Sequence, residues 1–270
     1  HGAAVGVRGP GGPGDRRDRP GPNALTAAAT ATGAAGLVSD LWRFPVKSFA
    51  GERARRAFVG PFGLLGDRRH AVTDDSGQAL TARRAHRLLG FSARYADPEA
   101  AEGAEVRTPA GIALPWDDPA VAEELSRTLG RDAWIVRSAA AVHDAAPVHL
   151  VSTAGLASAA EWVEGEEIDR RRFRANIVVE AEGDDPFPES GWIGATLAIG
   201  DAGPRLRVVS PTERCAVTTF DPDSLERDNR VLAGLARDRE NFFGVYAIVE
   251  RPGWVAVGDT VRREPAPDLT

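Results

Sequence analysis

Sulfur is nearly absent from this chain. Its 270 residues include one cysteine, Cys215, and no methionine. One thiol excludes an internal disulfide and a four-cysteine zinc or iron–sulfur site. It also makes a reducing, cytoplasmic location the expectation. Any chemistry at Cys215 is that of a lone thiolate: a nucleophile, a sulfur carrier, or one ligand to a soft metal. Long apolar runs are missing as well. No stretch nears the eighteen uncharged apolar residues of a membrane-spanning helix, so no membrane association is expected. Positive charge is in deficit, with a net charge of −6, which argues against nucleic acid as a partner. His1, His70, His86, His143 and His149 show no H-E-x-x-H spacing, and no G-x-S-x-G, Walker or dinucleotide-binding motif occurs. With no methionine and a histidine at position 1, the natural start is expected to lie elsewhere.

What is present is an ordinary globular balance, 43% hydrophobic and 27% charged, enough for one large core or two small ones. Residues 1–36 are mostly Gly, Pro, Ala, Thr and Arg, with no Phe, Trp or Tyr and almost no large aliphatics. They hold too little apolar surface to offset ordering and are expected to be a disordered tail, as are residues 265–270. From Leu37 onward, short alternating segments predict strands at Leu41–Val46, Ala54–Val59, Arg69–Thr73, Phe91–Tyr95, Glu105–Thr108, Ile112–Leu114 and Trp134–Val136. Asp118 as cap, Pro119 at the first turn and Gly130 as stop predict a helix between them. The pattern restarts at Val148–Val151. Ser152 is placed to cap a helix running to Trp162, and strands follow at Arg172–Glu180, Leu197–Ile199, Leu206–Val209 and Cys215–Phe220. A helix over Arg227–Arg237 and strands at Gly244–Val249 and Val255–Val261 finish the chain. The reading is an α+β protein, mainly β and rich in barrel-like sheet, in two consecutive domains, 37–140 and 141–264.

Four places carry polar chemistry. On a strand, Cys215 would share a face with Val217 and Thr219 while Arg214 points away, so a cation lowering the thiol pKa must come from elsewhere. The alternative is a thiol that is merely packed. Lys47 and Ser48 end the first strand with an ammonium, a hydroxyl and free amides, able to grip an oxyanion or simply to form an exposed junction. The glycine-bracketed run Gly63–Arg69 delivers Arg68, with Asp67 expected to hold the turn or an arginine. Arg174 and Asn176 lie two apart at the head of an apolar strand, where buried polar groups need partners from the protein or from a ligand.

Several segments together resemble a known family. Leu41-Trp42-Arg43-Phe44-Pro45-Val46-Lys47-Ser48, the Gly63–Arg68 turn and Leu80-Thr81-Ala82-Arg83 resemble the N-terminal β-barrel domain that precedes a MOSC domain. Phe173–Val179, Phe187–Trp192, Arg214–Pro222, Phe243–Tyr246 and Val257-Gly258-Asp259 resemble the MOSC domain itself. Sulfurase C-terminal domains and amidoxime-reducing components belong to this family. The resemblance implies a molybdenum cofactor, Mo-molybdopterin, with Cys215 giving its thiolate to the metal as catalytic ligand. It implies that Lys47, Ser48, Arg68, Arg174 and Asn176 hold the pterin and its phosphate, with Ser152 and Tyr246 also at matching positions. The implied activity is oxidoreduction of N-hydroxylated or N-oxide compounds. The chain has no further cysteines, so electrons would come from a separate ferredoxin- or flavoprotein-type donor. The alternative is a carrier of the cofactor or of sulfur without turnover. The pyridoxal-phosphate region of the sulfurase relatives is absent from the sequence, so no pyridoxal phosphate is expected.

Overall fold

The computed structural model describes residues 33–139 and 141–264. Most of the expected tail, residues 1–32, and the tail at 265–270 lie outside the described residues. The folded chain begins earlier than expected. Strand β1 spans Gly33–Arg43, so residues 33–36 belong to a sheet rather than to a tail. The reason is pairing: Gly33 and Ala34 face Arg263 and Arg262, while Gly36 faces both Val261 and Ala181.

Sixteen strands and three α-helices are formed among the described residues. In chain order, β2 is Glu52–Ala54, β3 Arg56–Gly60, β4 Gly63–Leu64, β5 His70–Thr73, β6 Ser92–Asp97, β7 Glu102–Arg107 and β8 Ala113–Pro115. Helix α1 (Pro119–Leu129) and β9 (Trp134–Arg137) follow. Then come β10 (Val148–Ser152), α2 (Thr153–Ala159), β11 (Ile177–Ala181), β12 (Thr196–Ile199), β13 (Arg205–Glu213), α3 (Arg230–Arg239), β14 (Phe242–Arg251), β15 (Gly253–Ala256) and β16 (Thr260–Glu264).

The main sheet runs β11-β10-β14-β13-β12-β16-β1 and closes because β1 also pairs with β11, giving a seven-stranded barrel. The barrel interior holds Val38, Leu41, Leu150, Ile177, Val179, Leu197, Ile199, Leu206, Val208, Val245 and Val261, all essentially without solvent contact. Strands β10 and β11 pair in parallel and are joined through α2, a crossover that covers their outer face. This explains their continuous apolar sequences. Leu150, Ile177 and Val179 face the barrel core, while Val151 and Val178 face a second cluster with Leu156, Phe173, Val231, Leu235 and Phe243. A third cluster, built on Val46, Phe49, Val72, Leu88, Phe91, Val106, Val121, Leu125 and Ile135, joins β5, β9, the β6-β7-β8 sheet and α1.

Local signals explain the element ends. The Asp118 carboxylate accepts the Ala120 N–H at 2.9 Å, and Gly130 closes α1 in the left-handed region with φ 68°. Three expectations need correction. The segment Val255–Val261 is two strands, because the turn at Val257–Asp259 is pinned by Asp259 accepting the Ala256 N–H at 2.8 Å. The helix after Ser152 is α-helical only to Ala159 and tightens to a 3₁₀ turn at Ala160–Val163. Cys215–Phe220 is not a strand: β13 ends at Glu213, and Ala216–Thr219 is a 3₁₀ turn. Its β-branched residues favour a ladder, but Thr218 Oγ1 donates to the Cys215 carbonyl at 2.9 Å and Thr219 Oγ1 to the Ala216 carbonyl at 2.7 Å. These local bonds replace strand pairing. No helix among the described residues is long and apolar enough to cross a membrane.

Barrel closure can be tested at Gly36. Its φ is 140°, and a Cβ there would sit 2.0 Å from the Glu180 carbonyl oxygen and 2.8 Å from the Ala181 Cα. Both obstacles are backbone, so Gly36→Ala is expected to cost about 1–3 kcal/mol, read as a melting temperature lower by several degrees. An unchanged melting curve would show that β1 does not close the barrel against β11.

Candidate functional site

A cleft lies between the third cluster and one end of the barrel, and most of the residues singled out by sequence meet there. The loop after β1 contributes Lys47 and Ser48, the β4–β5 turn contributes Arg68, and the loop after β5 contributes Thr81 and Arg83. From the barrel come His149 on β10, Arg174 before β11, Glu213 at the end of β13, Arg214 and Cys215 just after it, and Tyr246 on β14. Asp144 adds a second carboxylate. Five cations therefore face two carboxylates in a chain of net charge −6.

The cations differ in how they are satisfied. Lys47 donates to Asp144 at 2.8 Å and to the Val142 carbonyl at 3.0 Å. Arg68 pairs with Asp67, whose other oxygen accepts the Phe44 N–H at 2.7 Å. Asp67 is wholly buried and holds both the turn and the arginine. Arg174 and Arg214 have no carboxylate partner among the described residues. Arg174 donates to the Phe49 carbonyl at 2.6 Å and lies 4.2 Å over the Phe44 ring. Arg214 donates to the Phe173 carbonyl at 2.8 Å, and its Nε is buried without a partner. Burial, and then repulsion from Arg68, pushes Arg174 down to about 9, and burial likewise lowers Arg214. A guanidinium keeps its proton in proteins. The unfavourable potential is therefore a demand for an anion rather than for deprotonation.

The backbone is strained at the same place. Ser48, Arg68 and Arg174 all have positive φ, at 72°, 49° and 54°. Each left-handed non-glycine residue costs about 1–2 kcal/mol, and such residues gather where a site over-determines the chain. Ser48 is turned so that its hydroxyl accepts the Ala82 N–H at 3.0 Å, which joins the Lys47 loop to the Arg83 loop.

Cys215 is half-buried at the start of the 3₁₀ turn and unpaired. The cation facing it comes from Arg83. Although burial works against it, the neighbouring Cys215 and Asp144 raise the Arg83 guanidinium. Sequence reading required such a cation from another element but gave Arg83 no role; its presence in a quoted family segment was the available signal. Asp144 was also missed. Burial opposes its charge, but the hydrogen bond and charge of Lys47 hold it below the usual carboxylate range. His149 lines the cleft with its ring 5.4 Å from that of Tyr246, and burial drives its pKa well below 6.5, so it is neutral. Burial raises the Tyr246 hydroxyl, which keeps its proton at neutral pH.

Two expected site residues do not line the cleft. Ser152 is spent on structure: its hydroxyl accepts the Gly155 N–H at 2.8 Å, capping α2, and donates to the buried Glu189 carboxylate. Asn176 ties elements together behind the cleft. Its Oδ1 accepts from the His149 N–H at 3.2 Å and from Arg68 at 3.4 Å, and its Nδ2 donates to the Trp42 carbonyl at 3.3 Å. Nor are Arg174 and Asn176 on one strand face, because β11 starts only at Ile177 and Arg174 caps the preceding turn in the left-handed region.

The donor set can be tested against a phosphate-bearing pterin that carries a soft metal. No group of three His, Cys, Asp or Glu side chains among the described residues could hold a metal. A metal bound here would take one thiolate from the protein and the rest of its ligands from an organic carrier. Arg174 and Arg214, lacking carboxylates, fit that carrier's phosphate. The chemistry fits; the space is tight. The cleft has about 70 Å³ of free volume, so a pterin needs one wall to move. The Lys47–Asp144 pair, in which Lys47 is buried but Asp144 is 49% accessible, is the wall open to solvent on one side.

Comparison with known proteins agrees with this architecture. The model of the MOSC N-terminal beta barrel domain matches residues 35–130, and that of the MOSC domain matches residues 137–262. Human mitochondrial amidoxime-reducing component 1 is 26% identical over 291 residues, covering 84% of this chain and 82% of that protein. Rat mitochondrial amidoxime reducing component 2 is 25% identical over 288 residues, covering 84% and 83%. Those names place the relatives in mitochondria and give the cytoplasmic expectation no support. The crystal structure of the YUAD protein from Bacillus subtilis shares the fold, with a TM-score of 0.50 and 16% identity, and covers 88% of this chain and 99% of that one.

Two variants separate structure from ligand demand in cofactor-free protein. Asp67→Ala leaves Arg68 and the Phe44 N–H without their buried partner and is expected to cost about 3–5 kcal/mol, seen as a melting temperature lower by roughly 10 °C. Arg174→Ala removes a repelled cation and is expected to leave the melting temperature unchanged or raised. Equal losses in both variants would make Arg174 a structural residue.

Proposed function

We propose, from the premise that this chain belongs to the MOSC family and carries that family's N-terminal β-barrel domain, that it is a molybdenum-cofactor-dependent reductase of small N-hydroxylated or N-oxide compounds, re-reduced by a separate electron-donor protein. The observation that carries this reading is the sole thiol, half-buried and faced by Arg83, in a cleft whose half-buried Arg174 and Arg214 have no carboxylate partner among the described residues.

A molybdenum cofactor held there would supply two electrons and take up the oxygen of an N–O bond, in the balance R–NHOH + 2 e⁻ + 2 H⁺ → R–NH₂ + H₂O. The protein's own part is positioning and charge. Arg83 is the cation set beside Cys215, whose sulfur is the soft donor that a metal would take. Arg174, Arg214, Arg68 and the Ser48 loop are placed to hold the phosphate and pterin. Arginine suits this better than lysine because its planar fork makes two charge-assisted bonds to one phosphate. Tyr246 presents a protonated hydroxyl and His149 a neutral ring on the same wall. They keep the substrate side of the cleft free of added charge. Asp144 offsets Lys47 until the cofactor enters. In this reading Ser152 and Asn176 are positioning residues behind the site, not cofactor contacts.

Metal and pterin analysis of the purified protein, followed by Cys215→Ser, tests the proposal. The swap exchanges a soft ligand for a smaller, hard one, so molybdenum content and hydroxylamine turnover are both expected to vanish while the melting temperature holds. Full molybdenum-dependent turnover by the serine variant would overturn the ligand assignment. Loaded wild-type protein that turns over no hydroxylamine would instead establish the carrier role. Arg174→Ala should lower pterin content about tenfold or more, since a charge-assisted hydrogen bond contributes about 1.5–3 kcal/mol. Unchanged pterin content would place the phosphate elsewhere.

A further inference from the structure

A concavity much roomier than the Cys215 cleft lies nearby. Behind the Gly66–Arg68 turn lies a cavity of about 620 Å³, within the range of small-molecule sites. Its walls come from the β3–β4 hairpin, the start of β5, the β6–β7 turn, the residues before α1 and the end of β9. Asp67 borders it, whereas Arg68 borders the cleft, so the two spaces sit back to back across one turn.

The chemistry of its walls is specific. Phe62, Tyr95 and Trp116 supply aromatic surface. Phe62 is 62% exposed, an unusual state for a phenylalanine with no burial elsewhere to explain it. The Tyr95 hydroxyl is already used, donating to the Gly66 carbonyl at 2.9 Å. His70 is buried and lies with its ring 4.7 Å from that of Trp116. Its Nδ1 faces the Pro45 carbonyl at 3.3 Å. That contact makes Nδ1 the protonated nitrogen and leaves Nε2 as a free acceptor. Burial first, with Arg137 and Arg69 adding to it, pushes His70 down to about 4, so the acceptor persists at neutral pH. Arg137 stands directly opposite His70 in the β5–β9 ladder, on the same face. No carboxylate pairs with it among the described residues, and Arg69 adjoins it on the wall. Glu102 is an exposed carboxylate on this rim, and the charge of Asp67 is matched by Arg68.

We infer that this cavity is a second ligand site, taking a planar aromatic acid that carries a hydrogen-bond donor on its ring. The ring stacks among Phe62, Tyr95 and Trp116, the carboxylate meets Arg137 and Arg69, and the ring's donor meets His70 Nε2. The three recognition groups are of different kinds and converge on one space, which an adventitious groove does not require. The site is independent of the molybdenum reading, because none of its groups touches Cys215.

Calorimetric titration of the full chain with 4-hydroxybenzoate tests this. Saturable one-to-one binding is expected. The uncharged 4-hydroxybenzamide should bind at least tenfold more weakly, in line with the loss of a charge-assisted bond. Benzoate, lacking the hydroxyl donor, should bind several-fold more weakly. Arg137→Ala, at an exposed position that leaves the fold intact, should weaken 4-hydroxybenzoate at least tenfold and erase its advantage over the amide. Arg174→Ala, in the other cleft, should change nothing. Absence of saturation at millimolar ligand overturns the inference. So does binding that survives Arg137→Ala or is lost in Arg174→Ala; the latter result would place the aromatic acid in the Cys215 cleft.

Discussion

One buried carboxylate organises the functional end of this protein. Asp67 has no solvent contact, and each of its oxygens is committed, one to the Phe44 N–H and one to Arg68. An ionised carboxylate at such a position persists only if both oxygens are satisfied. That condition fixes the end of β1 against the Gly63–Arg69 turn. Phe44 is thereby held as a platform under two guanidiniums, Arg68 at 5.0 Å and Arg174 at 4.2 Å. The aromatic face offsets part of the cost of placing like charges side by side. Without this anchor the cations would spread into solvent, and the anion-seeking potential of the cleft would be lost.

Much of this arrangement was legible in the sequence, and the physical reasons for the gaps are specific. Caps were readable because they are local: Asp118 and Ser152 both cap the helices they precede. The parallel pair β10–β11 announced itself as continuous apolar runs, since both of its faces are covered. The Cys215 turn was misread because valine and threonine carry strand propensity, while the hydroxyl-to-carbonyl bonds that decide the matter show in no periodicity. Arg83 and Asp144 escaped for a different reason. Their roles exist only where the loops after β5 and β9 meet the barrel, and side-chain pairing across such distances leaves no mark in local pattern. Ser152 shows the converse. It occupies a family-matched position, yet its hydroxyl is consumed by Gly155 and Glu189.

The two cavities share the Gly66–Arg68 turn but differ in character. The Cys215 cleft is narrow and positive, with strained backbone at Ser48, Arg68 and Arg174. The space behind it is wide and aromatic, and only Ala101 among its non-glycine lining residues is left-handed, at φ 54°. Strain marks the place where the chain is held against its preference, and here it coincides with the lone thiol and the unpaired guanidiniums.

The way β1 closes the barrel has a consequence for how the chain must be made. Among the described residues the first strand pairs with the last, Gly33 facing Arg263, and β1 alone stands between β16 and β11. During synthesis β1 is made before β11 and β16 and has no complete partner until both follow. Until then it keeps unpaired amides and apolar side chains exposed, an invitation to wrong pairing. Ring closure between the two ends of a chain is also entropically slow. Folding to the final form is therefore a late, all-or-none event for the barrel. Fragments cut between the two family-matched segments would each keep an open sheet edge.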